Sequence, residues 1–253
     1  MTGRWHQGVD VCWDPLEHRP LRSLRAGVPR ADQPELVLVP GLGALGYLLP
    51  LVRACASWTR VHLLDVPGFG HPRTADRPAA LADVARDVTA WLDAVPRSPV
   101  LLVGHSTGAP AAVHVALARP QRVAALALAA PTFPPEARRW RPLAARVLRT
   151  MPHESPGLIA ATAPQYLRGR RGVLTLLRTA MDDAVDTLVP ALGCPVTVVR
   201  GARDAVCPEH WAAALAGRAP HGHGVTVPGA HNFPFNAPLP TSRALRAAGR
   251  PSA

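Results

Sequence analysis

A strand that turns abruptly into a helix is the feature that most constrains this chain of 253 residues. Residues 100–103 are uniformly apolar and lead directly into a Gly-x-Ser-x-Gly pentad at residues 104–108, which an alanine-rich stretch follows at once. Joining a strand to a helix through a single residue forces that residue into a strained backbone conformation, which is tolerable only between small neighbours. We therefore predict that Ser106 occupies the turn with its hydroxyl exposed at the N-terminus of the helix.

Pro110 supports this register, because it falls in the first helical turn, where backbone N–H groups have no intrahelical acceptor. Pentads of this composition also mark ordinary loops, so the interpretation depends on the strand before the pentad and the helix after it. The sequence contains both.

Apolar segments alternate with helical segments along most of the chain. The predicted strands of this kind cover residues 36–39, 61–64, 100–103, 123–128, 196–199 and 224–227. Strands that are apolar on both faces and separated by helices predict an α/β fold with a mostly parallel central sheet and helices on both faces. Ligands of such sheets bind beyond the carboxyl ends of the strands, which is where Ser106 falls.

Two segments depart from this alternation. Residues 9–24 contain alternating apolar positions, then an Asp-Pro turn, then Leu21 and Leu24 among arginines, which predicts a hairpin at the sheet edge. Residues 132–187 are divided by prolines and contain no apolar strand, which predicts a helical cap or lid inserted into the fold. The expected core domain then consists of residues 1–131 and 188–253.

The chain has 28 basic and 17 acidic residues, which gives a formal net charge of +11, and every basic residue is an arginine. The arginines are mostly scattered and are not interleaved with aromatic residues, so we expect no nucleic-acid partner. The absence of lysine also excludes a Schiff base on a lysine amine.

Arginines are frequent between residues 132 and 181, where Glu136 and Glu154 are the only acids. They are Arg138, Arg139, Arg141, Arg146, Arg149, Arg168, Arg170, Arg171 and Arg178. Two interpretations stay open: surface arginines that reflect coding bias, and a cationic cap that favours an anionic substrate or a carrier-bound acyl group.

Four cysteines, Cys12, Cys55, Cys194 and Cys207, lie far apart without a Cys-x-x-Cys pair, so neither a zinc site nor a redox motif is indicated. The polar start of the chain lacks the apolar stretch of a secretion signal, so we expect free thiols and a cytoplasmic protein. No segment approaches the ~18 consecutive apolar residues that a membrane span needs.

A serine hydroxyl is a poor nucleophile and needs a base, together with a carboxylate that orients the base. His231 follows the last predicted strand, and Asp204 follows the strand at 196–199, which places both on the same rim as Ser106. Either residue alone could be an ordinary loop histidine or a helix-capping acid. Their common rim and the order Ser106, Asp204, His231 favour a catalytic triad.

An oxyanion formed at Ser106 would need backbone N–H donors. Thr107 supplies one donor directly after the nucleophile, and Leu42, in the glycine-rich turn at 40–43, is the natural second donor. The same glycines would equally serve a simple tight turn.

Five motifs together resemble the α/β-hydrolases of the esterase, lactonase and perhydrolase branch. They lie at residues 39–43, 65–70, 104–108, 201–208 and 229–231. The resemblance implies that Ser106 attacks an ester, lactone or thioester carbonyl with His231 as base and Asp204 orienting it, and that water resolves the acyl-enzyme without a cofactor or metal. Many members have His-Gly where this chain has Pro40-Gly41.

The expected substrate is a small acyl compound, and Phe133, Trp140, Tyr166 and Phe233 are candidate pocket residues, although apolar residues in a cap are more often its own core. An acyltransferase with the same triad, a lyase or carbon–carbon hydrolase, and a non-catalytic ligand-binding protein are the alternatives. The sequence does not set the oligomeric state.

Overall fold

One sheet organises the part of the chain that the computed structural model describes, residues 3–4, 8–17, 19–96 and 98–250. Its nine strands within these residues are Gly3–Arg4 (β1), Asp10–Asp14 (β2), Leu21–Ala26 (β3), Leu36–Val39 (β4), Val61–Leu64 (β5), Val100–His105 (β6), Val123–Ala129 (β7), Val196–Gly201 (β8) and Gly222–Val227 (β9). Their spatial order is β1-β2-β3-β5-β4-β6-β7-β8-β9. Strands β4 to β9 run parallel, and β1 to β3 pair antiparallel at one edge.

The central strands are buried on both faces, as their uniformly apolar sequences predict. All residues of β4 and β6 are buried. The predicted parallel sheet is confirmed, and so is the edge hairpin, because β2 pairs antiparallel with β3. Since β4, β6, β8 and β9 are parallel, the loops that follow them emerge at one edge of the sheet.

Ten α-helices lie within the described residues. They are Leu49–Cys55 (α1), Leu81–Ala94 (α2), Gly108–Ala118 (α3), Trp140–Thr150 (α4), Gly157–Arg168 (α5), Arg170–Asp182 (α6), Val185–Leu188 (α7), Glu209–Arg218 (α8), Phe233–Asn236 (α9) and Pro238–Ala248 (α10). Helix α1 packs against α10, α2 packs against α3, and α8 packs against β8 and β9. The buried Trp91 of α2 donates its indole N–H to Asp14 (2.7 Å), which ties α2 to the edge hairpin.

Helices α4 to α7 fill the segment between β7 and β8, and the described residues of that segment contain no strand. Leu143 of α4, Tyr166 of α5 and Leu177 of α6 line a cavity beside Ser106. Helix α7 instead contacts α3 of the core. A cap at residues 132–187 stays a prediction, and its expected end at 187 falls inside α7.

Candidate active site

The turn at Ser106 is built on close glycine contacts. Ser106 has φ 53°, in the left-handed backbone region. A Cβ atom at Gly104 would lie 2.3 Å from the Gly108 carbonyl oxygen, and one at Gly108 would lie 2.5 Å from the Val39 carbonyl oxygen. Only glycine fits at both positions, so β6 and α3 meet through the strained turn that the pentad predicts.

Three loops bring Ser106, Asp204 and His231 together. His231 Nε2 lies 2.9 Å from Ser106 Oγ, and His231 Nδ1 lies 2.9 Å from Asp204 Oδ2. The other oxygen of Asp204, Oδ1, accepts hydrogen bonds from the N–H groups of Val206 (2.8 Å) and Cys207 (3.0 Å). These two bonds fix the orientation of the carboxylate, so Oδ2 accepts the Nδ1 proton of His231 and Nε2 faces the serine hydroxyl.

Burial and charge act in opposite directions on the two titratable groups. Burial favours the neutral form of Asp204, but the charge and hydrogen bond of His231 and the two backbone N–H groups hold the pKa of Asp204 below its usual value. Burial lowers the pKa of His231, but the charge and hydrogen bond of Asp204, together with the charge of Glu154, raise that pKa above 6.5. Asp204 is therefore anionic at neutral pH, and His231 holds a proton more tightly than a free imidazole does.

Glu154, which the sequence reasoning did not single out for the site, binds the loop that carries the histidine. Its Oε1 accepts hydrogen bonds from the backbone N–H (2.8 Å) and side-chain amide (3.1 Å) of Asn232, and its Oε2 accepts one from the Asn236 amide (3.0 Å). Glu154 precedes α5 in the segment between β7 and β8, so this segment is bonded directly to the residue after His231. The one feature of the sequence that points to Glu154 is that acidic residues are rare in this arginine-rich segment.

The turn that contains Leu42 lies beside the serine. Leu42 has φ 46°, and its N–H donates to Thr107 Oγ1 (2.8 Å). The Thr107 N–H, at the start of α3, has no hydrogen-bond acceptor among the described residues. The structure therefore places both predicted oxyanion donors next to Ser106, and the threonine hydroxyl engages one of them.

A buried hydrogen-bond relay joins the turn that contains Leu42 to the loop that contains His231. The sequence did not predict this relay. The Tyr47 hydroxyl accepts the Gly41 N–H (2.9 Å) and lies 2.7 Å from His105 Nδ1, while His105 Nε2 lies 3.0 Å from the His231 carbonyl oxygen. Burial, and next the charge of His231, lower the pKa of His105 to about 3, so His105 is neutral. Tyr47 then donates to Nδ1, and Nε2–H donates to the His231 carbonyl.

The cavity beside the serine has a volume of about 210 Å³. Two of the four predicted pocket residues, Phe133 and Tyr166, line it. Trp140 is 52% exposed on α4 and Phe233 is buried against the His105 ring, and neither is among the residues that line this cavity, so their role in the pocket stays a prediction. The other large apolar lining residues are Leu42, Leu143, Val147, Leu177 and Val206.

A larger cleft of about 1020 Å³ lies elsewhere, between α2, α3 and the end of α6. His114 and Asp183 form an ion pair in it, with Nε2 and Oδ2 2.6 Å apart. None of the residues that line this cleft belongs to the Ser106 site, so its size does not make it the catalytic pocket.

The cysteines, potential metal ligands and helices of the described residues bear on the other expectations from the sequence. The four cysteines are free thiols. No group of three or more potential metal-ligating side chains occurs among the described residues. A search of the same residues found no helix with the length and apolar character needed to span a membrane.

Comparison with known proteins identifies the family of the chain. A family model described as "Alpha/beta hydrolase family" matches residues 36–244. The chain is 29% identical over 231 residues to the pimeloyl-[acyl-carrier protein] methyl ester esterase of Xanthomonas campestris pv. campestris (strain B100), covering 80% of this chain and 89% of the relative. It is 30% identical over 232 residues to the enzyme of the same name from Xanthomonas axonopodis pv. citri (strain 306), with the same coverage of 80% and 89%.

Among solved structures, a thermophilic esterase from Thermogutta terrifontis superposes with a TM-score of 0.74 at 22% identity, covering 96% of this chain and 97% of that structure. At this identity the likeness shows the fold alone. The family match covers most of the chain and includes all five motifs described above. The chain therefore belongs to the alpha/beta hydrolase family and is a hydrolase that acts on ester bonds.

Proposed function

We propose that the chain hydrolyses carboxylic esters through an acyl-enzyme formed on Ser106, with His231 as base and Asp204 as the group that orients it. The observation that supports this most is the pair of 2.9 Å contacts that link Ser106 Oγ, His231 and Asp204 in one line beside an apolar cavity. Lactones and thioesters are substrates of the same chemical class, because they present the same acyl carbonyl.

In the acylation step, Ser106 Oγ attacks the carbonyl carbon while its proton passes to His231 Nε2. The tetrahedral intermediate collapses when the carbon–oxygen bond to the alcohol breaks, and His231 returns the proton to the departing alkoxide. A water molecule then attacks the acyl-enzyme with His231 again as base, which releases the acid and restores Ser106. No step uses a metal or cofactor.

The N–H groups of Leu42 and Thr107 are the proposed oxyanion donors. The Thr107 N–H lies at the positive end of α3, which favours negative charge. The Leu42 N–H reaches the oxyanion when the substrate oxygen replaces Thr107 Oγ1 as its acceptor. The turn is held in shape by Gly41, where an added Cβ would lie 2.7 Å from Ser106 Cβ.

The substrate is a small acyl ester with an apolar acyl part, because the cavity is modest in volume and mostly apolar in lining. The two Xanthomonas relatives are named for a methyl ester on an acyl-carrier protein. A carrier-bound acyl ester therefore belongs in the substrate panel beside free esters. Product analysis with added alcohols or amines distinguishes hydrolysis from acyl transfer.

Labelling with a fluorophosphonate probe tests the proposed nucleophile. We expect mass spectrometry to locate one phosphonyl adduct on Ser106 in the wild-type chain and none on that peptide in Ser106→Ala. Thr107→Ser, a conservative change next to the nucleophile, serves as the control and is expected to label. Folded wild-type protein that acquires no adduct at Ser106 would contradict the proposal.

The pH dependence of kcat/KM tests the electrostatics of His231. The base acts only in its neutral form, so activity rises with pH through the pKa of His231, and the raised pKa places this inflection above 6.5. Glu154→Gln removes one of the charges that raise the pKa, so we expect the inflection to move to lower pH. Glu209→Gln, at an exposed position of α8, is the matched control. We expect this variant to keep the wild-type pH profile. An unchanged inflection in Glu154→Gln would show that this carboxylate does not act on the base.

A further inference from the structure

Helix α5 exposes several apolar side chains and buries two polar ones. Its outward positions before Arg168 are apolar, with Ile159 60% and Leu167 75% exposed. Ala160 and Pro164 are also exposed, and none of these side chains can form a hydrogen bond. Polar residues lie on its buried side, where Thr162 donates to the Leu158 carbonyl oxygen (2.9 Å) and Gln165 accepts the Leu45 N–H.

Neighbouring segments carry further exposed apolar side chains. The described residues contain nine exposed large apolar side chains, and seven of them lie between residues 140 and 174. The seven are Trp140, Val147, Leu148, Met151, Ile159, Leu167 and Leu174. We name this set the apolar cap face. Val147, a member of this set, also lines the cavity at Ser106.

Arginines accompany the apolar cap face. Arg138 and Arg146 pair with Asp186 and Glu136, respectively. The exposed arginines of α4 to α6 have no carboxylate within ion-pair distance among the described residues. They are Arg139, Arg141, Arg149, Arg168, Arg170, Arg171 and Arg178. Glu154 is the only acid between residues 139 and 181, and its carboxylate binds Asn232 and Asn236.

These features together point to one kind of partner. A second copy of the chain would oppose one cationic face to another, which is unfavourable. Apolar side chains bordered by arginines suit a layer of acyl chains beneath anionic headgroups.

We propose that the apolar cap face docks on an anionic lipid surface, with Ile159, Leu167 and Leu148 entering the acyl boundary and the surrounding arginines contacting headgroup phosphates. The docked face brings the mouth of the cavity to the lipid surface. The docking does not depend on the proposed acyl-enzyme chemistry, and it is measured as binding.

Co-sedimentation with two kinds of vesicle tests this docking. The vesicles contain phosphatidylcholine with phosphatidylglycerol, or phosphatidylcholine alone. We expect wild-type protein to sediment with the anionic vesicles and to bind the neutral ones at least about tenfold more weakly. Ile159→Ser/Leu167→Ser and Arg170→Glu/Arg171→Glu should each weaken binding to anionic vesicles by about tenfold or more.

Two matched variants control for the high net charge of the chain. Leu239→Ser removes a leucine that is 60% exposed on α10, and Arg243→Glu/Arg246→Glu makes the same charge change on that helix. Both should bind anionic vesicles as the wild type does. Equal losses in the α10 variants would mean general charge attraction and would overturn the proposal, as would the absence of vesicle binding.

Sedimentation velocity without lipid tests whether a second copy of the chain, rather than lipid, covers the apolar cap face. A dimer that Ile159→Ser/Leu167→Ser converts to a monomer would assign the apolar cap face to a second copy and overturn lipid docking. Circular dichroism confirms that each variant is folded, which the exposure of the substituted side chains leads us to expect. An acidic carrier protein that binds this face while anionic vesicles do not would equally contradict the proposal.

Discussion

Asp204→Asn is expected to reduce kcat for ester hydrolysis by about 10⁴, the size of loss seen when a triad loses its carboxylate without losing its geometry. Oδ1 of Asp204 is held by the N–H groups of Val206 and Cys207. The oxygen of an asparagine would keep those two bonds, so its NH₂ group would face His231 Nδ1. His231 would then carry its proton on Nε2, where it cannot accept the proton of Ser106.

The measurement compares kcat and KM for a chromogenic acyl ester in wild type, Asp204→Asn and Asp76→Asn. Asp76 lies on an exposed loop away from the Ser106 cavity, and we expect its variant to match the wild type. The KM of Asp204→Asn should change little, because the carboxylate does not line the cavity. A loss of less than about tenfold in kcat would remove Asp204 from the role of orienting acid, since the tautomer argument predicts a far larger effect.

Much of the fold follows from patterns that the sequence displays locally. The strands β4 and β6 are apolar on both faces, and such runs are stable only inside a parallel sheet that helices cover. The turn at Ser106 is equally local. Close contacts with residues near Ser106 and with β4 leave no room for a Cβ atom at Gly104 or Gly108. Chain order and strand direction then suffice to place Asp204 and His231 on the same rim as the serine.

The supporting contacts could not be predicted in the same way. Glu154 binds Asn232 across 78 residues, and Tyr47 meets His105 across 58. Such contacts depend on how separate loops pack, and neither hydrophobic periodicity nor motif spacing in the sequence predicts them. Phe233 illustrates the same limit: it is a candidate pocket residue in the sequence, but the structure places it at the start of α9, buried against the His105 ring.

Tyr47→Phe is the substitution outside the triad for which we expect the largest effect. The Tyr47 hydroxyl is buried between the Gly41 N–H and His105 Nδ1, and burial raises the pKa of Tyr47 well above its usual value, so the phenol stays protonated and can donate. Phenylalanine fills the same space but leaves two buried polar groups without partners. Each such group costs about 1–3 kcal/mol, so the free energy of unfolding should fall by roughly 3 kcal/mol.

The same change acts on catalysis at two points, because the relay joins the turn of Leu42 to the carbonyl of His231. Loosening of both should lower kcat by about 10- to 100-fold while KM changes much less, since the cavity lining is intact. Chemical denaturation of Tyr166→Phe provides the stability control, because the Tyr166 hydroxyl has no hydrogen-bond partner among the described residues. If Tyr47→Phe lost stability but kept the wild-type kcat, the relay would support the fold without positioning the base.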